Sequence, residues 1–238
     1  MFEFCIPTGA KVVPDGPDWL HEIKYDGYRL RLELDGDRVR PIKRGGYNWS
    51  DRYPWIVEAA LKNRHRQFVI DGEAVVLGVD GVSDFDALHS GKQNEEVQLY
   101  AFDIMALDGD DLRGLPLSLR KTNVARLLAR RPDGIFVAPF EQGEIGPDLF
   151  RAACDMGLEG LVSKRRDRPY QGGRSKQLGQ GEEPEASGDE PGDGGVRLDS
   201  TRPLRRARDK KIQSSERRAA AMRWISRSRW AFAAPRGG

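Results

Sequence analysis

Leucine and charged side chains alternate over residues 29–34, with Leu30, Leu32 and Leu34 set against Arg29, Arg31 and Glu33. Successive strand residues point to opposite faces, so the pattern predicts a half-buried strand. Asp35-Gly36 then supplies a hairpin turn into a partner strand through Val39 and Ile42. The apolar run 68–77 reads as a buried strand broken by a turn at Asp71-Gly72-Glu73, and 97–105 as a further strand. Helical spacing marks 56–61, with Val57, Ala60 and Leu61 facing a core. It also marks 116–131, with Leu119, Val124, Leu127 and Leu128 inward, and 148–156, ended near Gly157. Residues 2–18 carry Pro7, Pro14 and Pro17 with Gly9 and Gly16, which predicts an irregular lead-in.

The pattern stops near Lys176. Residues 177–195 are rich in Gly, Glu and Pro, and 197–236 are dominated by Arg, Ala and Ser, the composition of a disordered linker and a basic tail. Charge divides at the same place. Residues 1–176 hold 26 Lys+Arg against 28 Asp+Glu, a net of −2, and 177–238 hold 13 against 9, a net of +4. A nucleic-acid surface on the main domain must therefore be a local patch. With 38% hydrophobic and 32% charged residues the chain suits a soluble core. No apolar run approaches the about 20 residues that span a membrane, and the start lacks a signal-peptide layout, so the expected location is cytoplasmic. Cys5 and Cys154 are too few for a disulfide framework and read as small buried residues, and His21, His65 and His89 have no metal-ligand spacing with them.

The chemistry concentrates in Glu22-Ile23-Lys24-Tyr25-Asp26-Gly27-Tyr28-Arg29. In an extended segment Glu22, Lys24 and Asp26 share a face. A lysine between two acids is either an exposed ion pair of little energetic weight or a nucleophile. A free lysine is protonated at neutral pH, so a nucleophilic one needs burial or nearby cations to lower its pKa. The motif alone leaves both readings open.

The string Lys24-Tyr25-Asp26-Gly27-Tyr28-Arg29 resembles the K-x-D-G-x-R signature of covalent nucleotidyltransferases, which include ATP-dependent DNA ligases, RNA ligases and mRNA capping enzymes. The fuller W-L-H-E-I-K-Y-D-G-Y-R, from Trp19, is similar to bacterial ATP-dependent DNA ligases of the end-joining type. Further blocks follow in family order: K-R-G-G-Y-N-W-S-D-R-Y-P, D-G-E, Y-A-F-D-I-M-A-L-D-G-D-D-L-R and E-G-L-V-S-K. Gly45 and Asn48 depart from the family's Asn and Asp.

The resemblance implies an α+β nucleotidyltransferase fold, antiparallel sheets flanked by helices, over residues 1–176. It makes Lys24 the residue that takes AMP from ATP. Glu22, Arg29, Arg44, Glu73 and Phe102 would bind the nucleotide, Arg44 also holding the nicked-strand phosphate, Glu73 the ribose and Phe102 the adenine by stacking, a job that suits a flat apolar ring. Glu159 would serve Mg²⁺, a hard cation that takes carboxylate and phosphate oxygens. The implied partners are nicked double-stranded DNA and ATP, with end-joining or repair proteins, for a monomer that touches no membrane. The alternatives are an RNA ligase or capping-type nucleotidyltransferase, or a non-catalytic nucleotide- or DNA-binding remnant.

After Tyr170-Gln171-Gly172-Gly173-Arg174-Ser175-Lys176 the family continues with W-x-K-x-K, whose lysines contact the α-phosphate. Here that block is missing. Residues 177–196 can be back-translated with synonymous codons so that a frame displaced by one base spells SWVKVKNRKHPAMNRVMEA, which restores it. The expectation is a one-base frameshift that leaves 177–238 as a non-homologous tail without the oligonucleotide-binding barrel that follows in minimal ligases, and an impaired enzyme.

Overall fold

A computed structural model describes residues 2–9, 12–79, 81–130, 133–182 and 223, with the backbone alone described over 175–182. The expected tail thus lies outside the described residues except for 177–182 and Arg223. The first strands are β1 (Cys5–Gly9), β2 (Trp19–Ile23), β3 (Tyr28–Asp35), β4 (Arg38–Lys43), β5 (Gln67–Val75) and β6 (Gln98–Leu107). They are followed by β7 (Asp110–Asp111), β8 (Ile135–Val137), β9 (Phe140–Gln142), β10 (Gly160–Arg165) and β11 (Gly173–Glu182). The helices are α1 (Pro54–Leu61), α2 (Phe85–Ser90), α3 (Leu117–Leu127) and α4 (Gly146–Asp155). No helix among the described residues is long and apolar enough to cross a membrane.

The strands form two sheets, one ordered β4-β3-β5-β6-β7 with β8 beside β6, the other β1-β11-β10-β2-β9. Pairing is antiparallel except at β1–β11 and β6–β8. Among the described residues, α-helices set against mainly antiparallel sheets make the expected α+β architecture.

The alternation in β3 works as anticipated. Leu30, Leu32 and Leu34 are buried and join Phe68, Ile70, Leu99, Ile104, Ile56 and Val124 in the main core, which α1 and α3 cover. The hairpin closes through a two-residue turn between the paired Asp35 and Arg38, with Gly36 at φ 61°. A second cluster packs Leu149, Ala152 and Ala153 of α4 on Ile23 and Leu161. The opposite face of β3, with Arg29 and Arg31, turns toward the other sheet, so it is only partly open to water.

Several expectations need correction. Asp71-Gly72-Glu73 makes no turn, because β5 runs through it with a register irregularity against β6 between Asp71 and Gly72. Glycine is required there because a Cβ at position 72 would lie 2.7 Å from the Tyr100 carbonyl oxygen of the neighbouring strand. Residues 5–9 form β1, since β11 offers a parallel edge that accommodates Pro7 beside a bulge. In α3, Leu119 is 50% exposed, and the inward face carries Leu117, Arg120, Lys121, Val124 and Leu127. In α1, Leu61 is exposed, while Ile56, Ala59 and Ala60 are buried. Cys5 is buried as expected and Cys154 only partly.

Gly72→Ala is expected to destabilise the protein by about 1–3 kcal/mol through overpacking between two paired strands. Urea unfolding checks this, and an unchanged midpoint would contradict it.

Candidate active site

The chain passes from one sheet to the other through residues 24–27, directly after β2 and before β3. The Lys24 N–H donates to the Gly160 carbonyl at 3.0 Å and the Asp26 N–H to Ser83 Oγ at 3.1 Å, which fixes this crossing at both ends. Beside it lies a cleft of about 260 Å³ between the sheets. Six of the expected site residues line it: Glu22, Lys24, Arg29, Glu73, Phe102 and Glu159.

The side chains of the first motif do not share one face. Glu22 is buried, Asp26 is exposed, and Lys24 pairs with the carboxylate of Glu159, at the entry to β10. Because β2 ends at Ile23, the alternation of a strand no longer governs Lys24 and Asp26. The Lys24 side chain is 21% exposed and that of Glu159 38%, so the pair lies where a ligand in the cleft can reach it.

Arg29 is held as a rigid donor. Its Nε and Nη2 bind the two oxygens of Asp71 at 3.0 and 2.7 Å, and its Nη1 donates to the Cys5 carbonyl at 2.5 Å. Tyr170 completes the network by donating to Asp71 at 2.8 Å and accepting from the Cys5 N–H at 3.0 Å. Burial opposes the charge on Arg29, but Asp71 outweighs it and raises the guanidinium pKa. The planar fork explains why arginine stands here, since two parallel donors match a carboxylate.

Glu73 faces Arg29 across the β3–β5 pairing. Its carboxyl pKa is pushed up to about 8 by burial, an effect that Arg29 counters and that Asp71, Glu159 and Asp26 reinforce. This shift favours the protonated carboxyl, which can donate as well as accept. The Phe102 ring has the Arg29 guanidinium 5.1 Å and the Lys164 ammonium 4.2 Å from its centre. A π face that attracts cations is also one on which a flat heterocycle can stack.

Glu22 lies deepest. Lys164 Nζ donates to one carboxylate oxygen at 2.7 Å, and Lys121 Nζ forms an ion pair with the other at 2.5 Å. Burial works against the charge of Glu22, yet the two lysines prevail and its pKa falls. Nearby, Arg120 makes a bidentate pair with Asp103 at 2.7 and 3.0 Å.

Arg44 stands apart. It occupies the exposed turn after β4 and does not line the cleft, so the structure does not bring it to the other expected nucleotide-binding residues. Sequence reasoning in turn missed Asp71, Asp103, Arg120, Lys121, Lys164 and Tyr170 as parts of the site. For Lys121 a signal existed. It lies four residues after Leu117 and three before Val124, within an apolar stripe, where a cation requires a buried counter-charge.

Among the described residues no group of three or more His, Cys, Asp or Glu side chains is arranged to hold a metal. A lone accessible carboxylate such as Glu159 fits an ion that takes most of its ligands from phosphate and water, the habit of Mg²⁺.

Residues 10–178 match the family model described as the ATP dependent DNA ligase domain. The multifunctional non-homologous end joining protein LigD of Pseudomonas aeruginosa is 33% identical over 180 residues, covering 74% of this chain and 21% of that protein. The corresponding LigD of Mycobacterium tuberculosis H37Rv is 35% identical over 156 residues, covering 66% and 20%. The chain thus spans about a fifth of the length of these relatives. Among solved structures, mycobacterial DNA ligase D complexed with ATP and MES aligns with a TM-score of 0.65 at 30% identity, covering 75% of this chain and 59% of that one. Chlorella virus DNA ligase-adenylate, at 17% identity and a TM-score of 0.54, shares the fold.

The raised Glu73 pKa has a consequence for stability. Between about pH 4.5 and 8 the unfolded chain has lost the proton that the folded chain keeps, so stability falls as pH rises through this window. Glu73→Gln is expected to flatten that part of the melting-temperature profile. Parallel profiles for the two proteins would contradict the assignment.

Proposed function

The chain belongs to the family of ATP-dependent DNA ligase domains, and from that premise we propose that its cleft transfers AMP from ATP to Lys24 and onward to DNA. The observation that carries this reading is the placement of Lys24 and Glu159 at a cleft whose other walls hold Arg29, Glu73 and Phe102.

In the proposed reaction the uncharged Nζ of Lys24 attacks the α-phosphorus of ATP. A phosphorus–nitrogen bond forms, the bond to pyrophosphate breaks, and AMP remains as a phosphoramidate. The ammonium must first lose its proton to water and leave Glu159, so Glu159 acts as a latch on the nucleophile. Glu159 is also the proposed holder of Mg²⁺, which when bound supplies positive charge for the transferring phosphoryl group. Phe102 offers its face to adenine and Glu73 its carboxyl to the ribose hydroxyls. Arg29 and Glu22 hold the walls of the nucleotide site. Arg44, outside the cleft, suits the phosphate of a strand better than an enclosed nucleotide.

The proposed substrate is nicked double-stranded DNA. AMP passes to its 5′-phosphate, and the 3′-hydroxyl displaces AMP to seal the strand. The names of the LigD relatives favour a role in end joining, and repair proteins as partners and a cytoplasmic location are proposed with it.

The late lysines bear on efficiency. Residues 177–182, Gln-Leu-Gly-Gln-Gly-Glu, fall in β11 beside β10 and supply no cation. Loss of positive charge aimed at a transferring phosphate has a cost like that of an oxyanion-hole donor, about 3 kcal/mol or more. We attribute this to a one-base frameshift at 177.

Incubation with α-labelled ATP and Mg²⁺ is expected to label the protein covalently and to leave Lys24→Ala unlabelled; equal labelling of both would refute Lys24 as the acceptor. Replacing the sequence from 177 by SWVKVKNRKHPAMNRVMEA is expected to raise nick sealing by about a hundredfold or more. Equal rates for the two forms would remove the frameshift account of the lost activity.

A further inference from the structure

Lys121 is a buried charged group that the nucleotide reading leaves without a task. It sits on the inward face of α3, 3% exposed, and does not line the cleft. Its ammonium meets Glu22 at 2.5 Å and stands 5.0 Å from the Phe140 ring centre. It can therefore reach a bound nucleotide only through Glu22 and through its field.

A single cation would balance Glu22, and Lys164 already supplies it at 2.7 Å. A second buried ammonium on the same carboxylate is costly, because desolvation is not repaid by a further counter-charge. The adjoining Asp103–Arg120 pair is self-neutralising. Together Glu22 and Asp103 oppose Lys121, Lys164 and Arg120, so this buried group carries one positive charge in excess. Lys164 and Arg120 face the cleft, and Lys164 also lies over the Phe102 ring.

We propose that Lys121 is a positioning residue for the anionic nucleotide: it occupies one oxygen of Glu22 from behind, so that Lys164 presents unneutralised positive charge to a ligand in the cleft. This rests on the nucleotide reading above. Removing Lys121 leaves Glu22 and Lys164 as a neutral pair, and the cleft loses the excess charge. The loss weighs on a ligand in proportion to its negative charge, so ATP is penalised and uncharged adenosine is spared. A merely structural defect would weaken both alike.

The test is calorimetric titration of the full chain with ATP and with adenosine, for the native protein, Lys121→Met and Lys121→Arg, beside thermal melts. In Lys121→Met the ratio of ATP to adenosine affinity is expected to fall by about tenfold or more, the scale of one unit charge acting across roughly 10 Å at an intermediate effective dielectric. Lys121→Arg, which keeps the charge, is expected to retain the native ratio. Lys121→Gln serves the same comparison if the methionine variant does not fold. An unchanged ratio in the neutral variant, or an equal loss for both ligands, overturns the inference while leaving nucleotide binding intact. A native chain that binds neither ligand overturns the nucleotide reading together with it.

Discussion

Charge held between two sheets, each member matched by a partner from a distant part of the chain, is the constraint on which the site depends. Arg29 sits on Asp71, Arg120 on Asp103, Glu22 between Lys121 and Lys164, and Lys24 on Glu159. Breaking a buried pair by removing one member typically costs about 3–5 kcal/mol, far more than an exposed pair contributes, because the remaining charge is stranded. Each pair also links separate elements. Arg29–Asp71 clamps β3 to β5, Tyr170 and Cys5 tie that clamp to the chain before β11 and to β1, and Glu22 joins β2 to α3 and β10. The cleft is therefore prearranged, and a ligand need not order its walls.

This arrangement separates fixed groups from movable ones. Glu22, Asp71, Asp103, Arg120, Lys121 and Lys164 are held in ion pairs and close to fully buried, as holding a ligand in one orientation requires. Lys24 and Glu159 are the more accessible pair, on the short crossing between sheets and on the approach to β10. A nucleophile must be able to lose a proton and change partners, which a partly exposed ion pair allows and a buried triad does not.

What the sequence disclosed follows the range of the interactions. The β3–β4 hairpin was legible because leucine alternation and Gly36 act between near neighbours. The strand β1 was hidden because its partner β11 lies far along the chain and Pro7 reads as loop. Asp71-Gly72-Glu73 resembled a bend, whereas its glycine answers to the Tyr100 backbone across the sheet. In α3 the apolar periodicity placed Leu119 inward, and the buried face instead took Arg120 and Lys121, whose counter-charges come from β6 and β2. The motif string located Lys24, Glu22, Arg29, Glu73, Phe102 and Glu159 in one cleft, and spacing alone could not have paired Lys24 with Glu159. Arg44 belongs to a neighbouring surface, because the turn after β4 carries it outside.

The central claim is that Lys24, released from Glu159, is the atom to which AMP becomes attached. Peptide mapping by mass spectrometry after incubation with ATP and Mg²⁺, under mildly alkaline conditions that preserve a phosphoramidate, tests it most directly. The account predicts one AMP on the peptide that contains Lys24, lost on acid treatment. AMP on Lys121 or Lys164 instead, or an adduct that survives acid, would contradict it.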